Sequence, residues 1–65
     1  MANDAYLAVG QILKEIGYPE IGNYIEKNRD NEIFFNSCVN LILHKTPPRL
    51  ENHVKDILII CGILP

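Results

Sequence analysis

The chain has 65 residues, of which 48% are hydrophobic and 22% are charged, and this composition is typical of a folded globular protein rather than a disordered one. Its length allows one small domain, residues 1–65, with a thin margin of stability. The net charge is −2, from six basic and eight acidic residues without a run of like charge. A nucleic-acid partner is therefore unlikely on composition, because binding to phosphates relies on clustered Lys and Arg.

Turn and cap residues divide the sequence into four predicted helices, at about residues 4–16, 19–28, 31–45 and 48–63. The predicted fold is an all-α, compact bundle. The first helix is capped by Asn3 or Asp4 and stops at Gly17. Residues at helical spacing form its predicted core face, namely Ala5, Val9, Ile12, Leu13 and Ile16. Leu7 projects on the opposite side and is a candidate contact residue.

The second helix starts with Pro19 at its first position, where the missing N–H is tolerated. Gly22 weakens this helix, so we expect it to be retained for packing. Together with the Gly17 turn, the first two helices could form a helix-turn-helix, and a DNA-binding regulator is the alternative function. The second helix would then present to DNA a face that is too acidic for a groove lined with phosphates, consisting of Glu20, Asn23, Glu26 and Lys27.

The third helix is capped by Asp30 or Asn31 and has apolar residues over about half of its circumference, wider than a surface helix usually shows. This arc consists of Phe34, Phe35, Cys38, Val39, Leu41, Ile42 and Leu43. The remaining face is polar, and it is uncharged unless the histidine is protonated. Its residues Asn36, Asn40 and His44 are four apart, so they either face solvent or form hydrogen bonds with a partner.

The fourth helix starts at Pro48 and changes character along its length. The predicted core face has Leu58 at its edge and consists of Leu50, Val54, Ile57, Cys61 and Leu64. The outer side of the last turns holds Ile59, Ile60 and Ile63. A helix end that is apolar all round must be covered by protein. We expect the first helix or a second subunit to cover it, and a homodimer in which this helix supplies much of the interface is the prediction.

No catalytic, cofactor-binding or metal site is predicted. Two Cys and two His are present, but their spacings lack the short pairs that bring zinc ligands together. Cys38 and Cys61 are expected to be packed thiols, and a disulfide between them is the less favoured alternative.

The sequence therefore predicts a small non-enzymatic protein–protein interaction or regulatory module, of adaptor or inhibitor type, which acts by occupying a partner surface. Its expected partners are a second copy of itself and another protein. The N-terminus lacks the pattern of a signal peptide, and the apolar tail is about half the length needed to span a membrane. A cytoplasmic location is the resulting expectation.

Overall fold

Helices make up all the secondary structure in the computed structural model, which describes residues 2–65, with side chains from residue 5 onward. The predicted all-α bundle of four helices is confirmed. A single turn of 3-10 helix, Pro48–Leu50, leads directly into the last helix. The elements are α1 (Ala2–Glu15), α2 (Pro19–Lys27), α3 (Glu32–Lys45) and α4 (Glu51–Ile60).

The starts of α2 and α3 follow the sequence signals, whereas Pro48, the predicted start of the last helix, begins the 3-10 turn and α4 starts at Glu51. Pro19 is the first residue of α2. The side chain of Asn31 caps α3, because its Oδ1 accepts a hydrogen bond from the backbone N–H of Phe34 at 3.0 Å. The predicted start of α1 was wrong. The helix begins at Ala2, so Asn3 and Asp4 lie inside its first turn, and their side chains are outside the described residues.

The C-terminus of α1 is closed by Gly17, as the sequence predicted. Gly17 has a φ of 108°, in the left-handed region that favours glycine. The N–H of Tyr18 donates to the carbonyl oxygen of Leu13 at 2.7 Å, and the N–H of Gly17 donates to that of Lys14 at 3.3 Å. These two bonds define a Schellman motif, which reverses the chain into α2.

The same motif closes α4 at Gly62, and here the sequence prediction of a helix to residue 63 was wrong. Gly62 has a φ of 78°, and its N–H donates to the carbonyl oxygen of Ile59 at 3.0 Å. The N–H of Ile63 donates to the carbonyl oxygen of Leu58 at 2.9 Å. Because the chain turns back here, Ile63 and Leu64 pack against the core instead of extending the helix.

One cluster of buried side chains holds the helices together, and α1 is its centre because it contacts α2, α3 and α4. The cluster consists of Val9, Ile12, Leu13, Ile25, Cys38, Ile42, Val54 and Leu58. In α1 this confirms the predicted core face, with Ala5 and Ile16 partly buried at its ends. In α4 the prediction is confirmed for Val54, but the helix is rotated from the predicted face, since Leu58 is fully buried, whereas Ile57 and Cys61 are partly exposed.

Glycines allow α1 and α2 to pack with their backbones in close approach. A Cβ atom on Gly22 would lie 2.6 Å from the carbonyl oxygen of Gly10. The predicted packing role of Gly22 is thus confirmed. Beside this contact, Lys14 Nζ and Glu26 Oε2 form an ion pair between the two helices at 2.9 Å.

Candidate protein interface

Two consecutive isoleucines at the end of α4 are exposed. Ile60 is 82% exposed and Ile59 is 48% exposed. Consecutive residues of a helix point about 100° apart, so these two side chains flank the outside of the helix and do not form one stripe. Ile63, which the sequence placed on the same surface, is partly buried against the core beyond the Gly62 turn. The apolar surface at this end is therefore smaller than the sequence indicated.

Aromatic contacts fix the rotation of α3 about its axis. Phe35 packs on Tyr6 of α1, with ring centroids 4.5 Å apart, and Phe34 meets Tyr24 of α2 edge to face at 5.0 Å. Deeper in the helix, Cys38 lies in the core with 2% of its surface exposed. The opposite side of α3 consequently points away from the other helices.

We call this side the outer face of α3, and from Ile33 to His44 it is exposed without a Lys, Arg, Asp or Glu residue, while the exposed Glu32 lies at its N-terminal edge. Its residues are Ile33, Asn36, Ser37, Asn40, Leu43 and His44, all of which are exposed. The sequence had indicated the polar members Asn36, Asn40 and His44. It missed Ile33, which is 81% exposed, and it assigned Leu43, which is 45% exposed, to the buried arc. Loss of charged residues is the compositional mark of the centre of protein interfaces.

Some polar side chains on the outer face of α3 bond to their own helix. The Ser37 hydroxyl donates to the carbonyl oxygen of Ile33 at 3.1 Å. His44 Nδ1 lies 2.8 Å from the carbonyl oxygen of Asn40, and because a carbonyl only accepts, Nδ1 carries the proton and donates. These contacts hold the hydroxyl and the imidazole along the helix. The exposed amides of Asn36 and Asn40 are the polar groups on this face best placed to meet a partner.

Leu7, the remaining predicted contact residue, is 40% exposed on α1. Gln11, one turn further along, is also exposed, and Lys14 forms an ion pair with Glu26.

The ion pair between Lys14 and Glu26 also bears on the helix-turn-helix alternative. Glu26 is only partly exposed and faces α1, so of the four residues assigned to a recognition face only Glu20, Asn23 and Lys27 are on the exposed side of α2.

The two cysteines are free and differ in their surroundings. Burial raises the pKa of the Cys38 thiol, because the thiolate is disfavoured in the apolar core. Cys61 is partly buried and borders an open groove together with Tyr6, Phe35 and Ile63. Within the part of the chain that the structure describes, His, Cys, Asp and Glu do not form a group of three that could hold a metal ion.

This difference predicts selective alkylation of the thiols. Because the thiolate is the reactive form, iodoacetamide should modify Cys61 of the folded protein much faster than Cys38, and the raised pKa of Cys38 should keep it unreactive even in mildly alkaline buffer. Mass spectrometry of peptides would measure both rates, with the unfolded chain in urea as the control in which both thiols react. Equal labelling of the folded protein would contradict the described burial of Cys38.

Comparison of the chain with models of known protein families, with curated proteins and with solved structures gave no match. None of the helices described in residues 2–65 combines the length and the apolar character needed to cross a membrane. The class that the fold defines is a small all-α bundle, and its surfaces are the guide to its function.

Proposed function

We propose that the protein is a non-enzymatic interaction or regulatory module that acts by occupying a surface of another protein, and that it does so as a homodimer. The exposure of Ile59 and Ile60 at the end of α4 is the observation that carries the proposed contact with another protein. Full burial of an isoleucine side chain contributes about 1.5–3 kcal/mol. A partner that covered Ile59 and Ile60 would recover part of this free energy.

The burial of the Cys38 thiol supports a role without catalysis for this residue. A nucleophilic cysteine needs a lowered pKa and access to its substrate. Cys38 has neither, because it is buried in the core with a raised pKa. Cys38 therefore supports a packing role and not that of a nucleophile.

A homodimer of so small a chain must bury a large fraction of its surface. A standard interface buries about 800 Å² of each partner, which would be roughly a fifth of the 4399 Å² that one chain exposes. Ile59 and Ile60 alone supply only part of that area. A homodimer therefore needs a broader surface than the end of α4, and the isoleucines are the surface that we assign to the other protein.

A capture experiment tests the proposed role of the α4 end. Tagged protein would be recovered from its native host with its bound proteins, alongside the double variant Ile59→Glu with Ile60→Glu. Both side chains are exposed, so the variant should fold, but it should lose the proteins that the wild type retains. The matched control is Asn52→Glu with His53→Glu, since these residues are also consecutive and exposed on α4.

The proteins retained by each sample would be compared by quantitative mass spectrometry, and far-UV circular dichroism would confirm that each variant is helical. A specific partner should be present with the wild type and the control and strongly depleted with the isoleucine variant. Equal recovery by all three samples would show that the end of α4 is not the contact surface.

A further inference from the structure

We propose that the outer face of α3 binds the same face of a second copy of the chain, with the two helices antiparallel about a two-fold axis. This inference rests on the proposed homodimer and assigns its interface. The exposed residues Ile33, Asn36, Asn40 and Leu43 are separated by three, four and three positions. This is the a/d spacing of a seam along which two helices pack, and it extends over two heptads.

The seam is complementary to itself when the helices run in opposite directions. In an antiparallel pair, a positions face d positions. A two-fold axis placed level with Cys38 sets Ile33 opposite Leu43 of the second copy, and Asn36 opposite Asn40 of the second copy. Apolar side chains then meet apolar side chains, and each amide meets an amide that can both donate and accept. In a parallel pair each seam residue would face the same residue of the second copy, but the charged residues at the helix ends would then face residues of the same charge.

The charges at the ends of α3 decide the direction. Glu32 is exposed in the first turn of α3 and Lys45 in its last turn, while Arg29 and Asp30, both exposed just before the helix, carry opposite charges. Antiparallel pairing brings each acidic end to a basic end and opposes the two helix dipoles favourably. Parallel pairing would place acid beside acid and base beside base, which disfavours association.

The length and polarity of the seam determine its strength. A helix of 14 residues is about 21 Å long, so the seam holds two apolar layers and two amide layers. Polar residues at a and d positions lower affinity while they fix register and orientation. The homodimer should consequently be reversible and dependent on concentration. Ile59 and Ile60 lie on a different helix, so this pairing does not use them.

Charges introduced at the two amide layers test both the face and the direction. Asn36→Lys with Asn40→Lys would place four positive charges in the centre of the seam, and it should weaken the dimer about a hundredfold or more. Asn36→Glu with Asn40→Lys should restore the dimer, since each Glu would face a Lys of the second copy. In a parallel pair the second variant would instead set Glu against Glu and Lys against Lys.

Sedimentation equilibrium over a concentration series reaching the high micromolar range gives the readout. The wild type and the Glu/Lys variant should approach twice the 7.4 kDa mass of one chain, and the Lys/Lys variant should stay at that mass. Asn23→Lys with Asn52→Lys is the matched control, because both asparagines are exposed on other helices and the change in charge is the same. This control should still dimerise.

Three outcomes would overturn the inference: a monomeric wild type, a Lys/Lys variant that dimerises as well as the control, or a Glu/Lys variant that remains a monomer. Melting followed by far-UV circular dichroism would ensure that every variant compared is folded. Partner capture through Ile59 and Ile60 is measured separately. Failure of the α3 pairing is thus distinguishable from failure of the proposed interaction with another protein.

Discussion

Leu58→Ala should lower the free energy of unfolding by about 2–5 kcal/mol, because it removes a fully buried side chain and leaves a cavity between α4 and the core. A domain of this size has only about 5 kcal/mol of stability to lose. The variant should therefore be largely unfolded at room temperature or close to its transition. Urea denaturation followed by far-UV circular dichroism measures the change.

The neighbouring residue provides the control for this prediction. Ile57 has a similar volume and belongs to the same turn, but it is partly exposed. Ile57→Ala should therefore cost less than Leu58→Ala, because a smaller area leaves water and the site can relax. If Ile57→Ala were the more damaging change, α4 would be rotated toward the arrangement that the sequence alone predicted.

The rotation of α4 could not be derived from its pattern because the pattern itself is ambiguous there. Five apolar residues follow one another from Ile57 to Cys61, so every direction around the last turn is hydrophobic. In the 3-10 turn before α4, each residue rotates about the helix axis by about 120° instead of about 100°. This difference changes the direction of Leu50 relative to the residues of α4. Val54 and Leu58 are the buried residues of α4, and this helix packs against α1.

The end of α4 was predictable in principle, by the rule that located the end of α1. A glycine followed by a hydrophobic residue is typical of a Schellman motif, and the motif often brings that residue against the helix three positions before the cap. Gly17 was recognised as the stop of α1 from the glycine alone. Gly62 with Ile63 was not, because the apolar run continues on both sides of the glycine and resembles more helix.

The candidate surfaces were predictable where polar residues interrupt an apolar helix and were missed where the exposed residue is itself apolar. Asn36, Asn40 and His44 stood out in α3 because amides and imidazole rarely line a core. Ile33 precedes two phenylalanines in the sequence, so the pattern does not distinguish it from a core residue. The contacts of Phe34 and Phe35 with tyrosines show that Ile33 points outward. The sequence signal for this face is the spacing of three, four and three positions that connects Ile33 and Leu43 with the two asparagines.

Gly22→Ala should destabilise the protein by about 2 kcal/mol, although alanine is the better helix former by about 1 kcal/mol. The added Cβ atom would lie 2.6 Å from the carbonyl oxygen of Gly10 and 3.0 Å from Cγ of Lys14. A backbone oxygen cannot rotate away as a side chain can. Relief therefore requires α1 and α2 to separate, and this separation would loosen the buried cluster to which Leu13 of α1 and Ile25 of α2 belong.

Gly10→Ala is the matched comparison, because the residue lies on the other side of the same helix contact. Its added Cβ atom would meet the side chain of Glu26, with Cγ at 2.5 Å, and not a backbone atom. The Glu26 side chain can rotate toward solvent at the expense of its ion pair with Lys14, a loss of about 1 kcal/mol or less for a partly exposed pair. The gain in helix propensity offsets that loss, so Gly10→Ala should be close to neutral. Urea denaturation of both variants would therefore separate a backbone contact from a side-chain contact, and equal destabilisation by the two substitutions would contradict the described approach of α1 and α2.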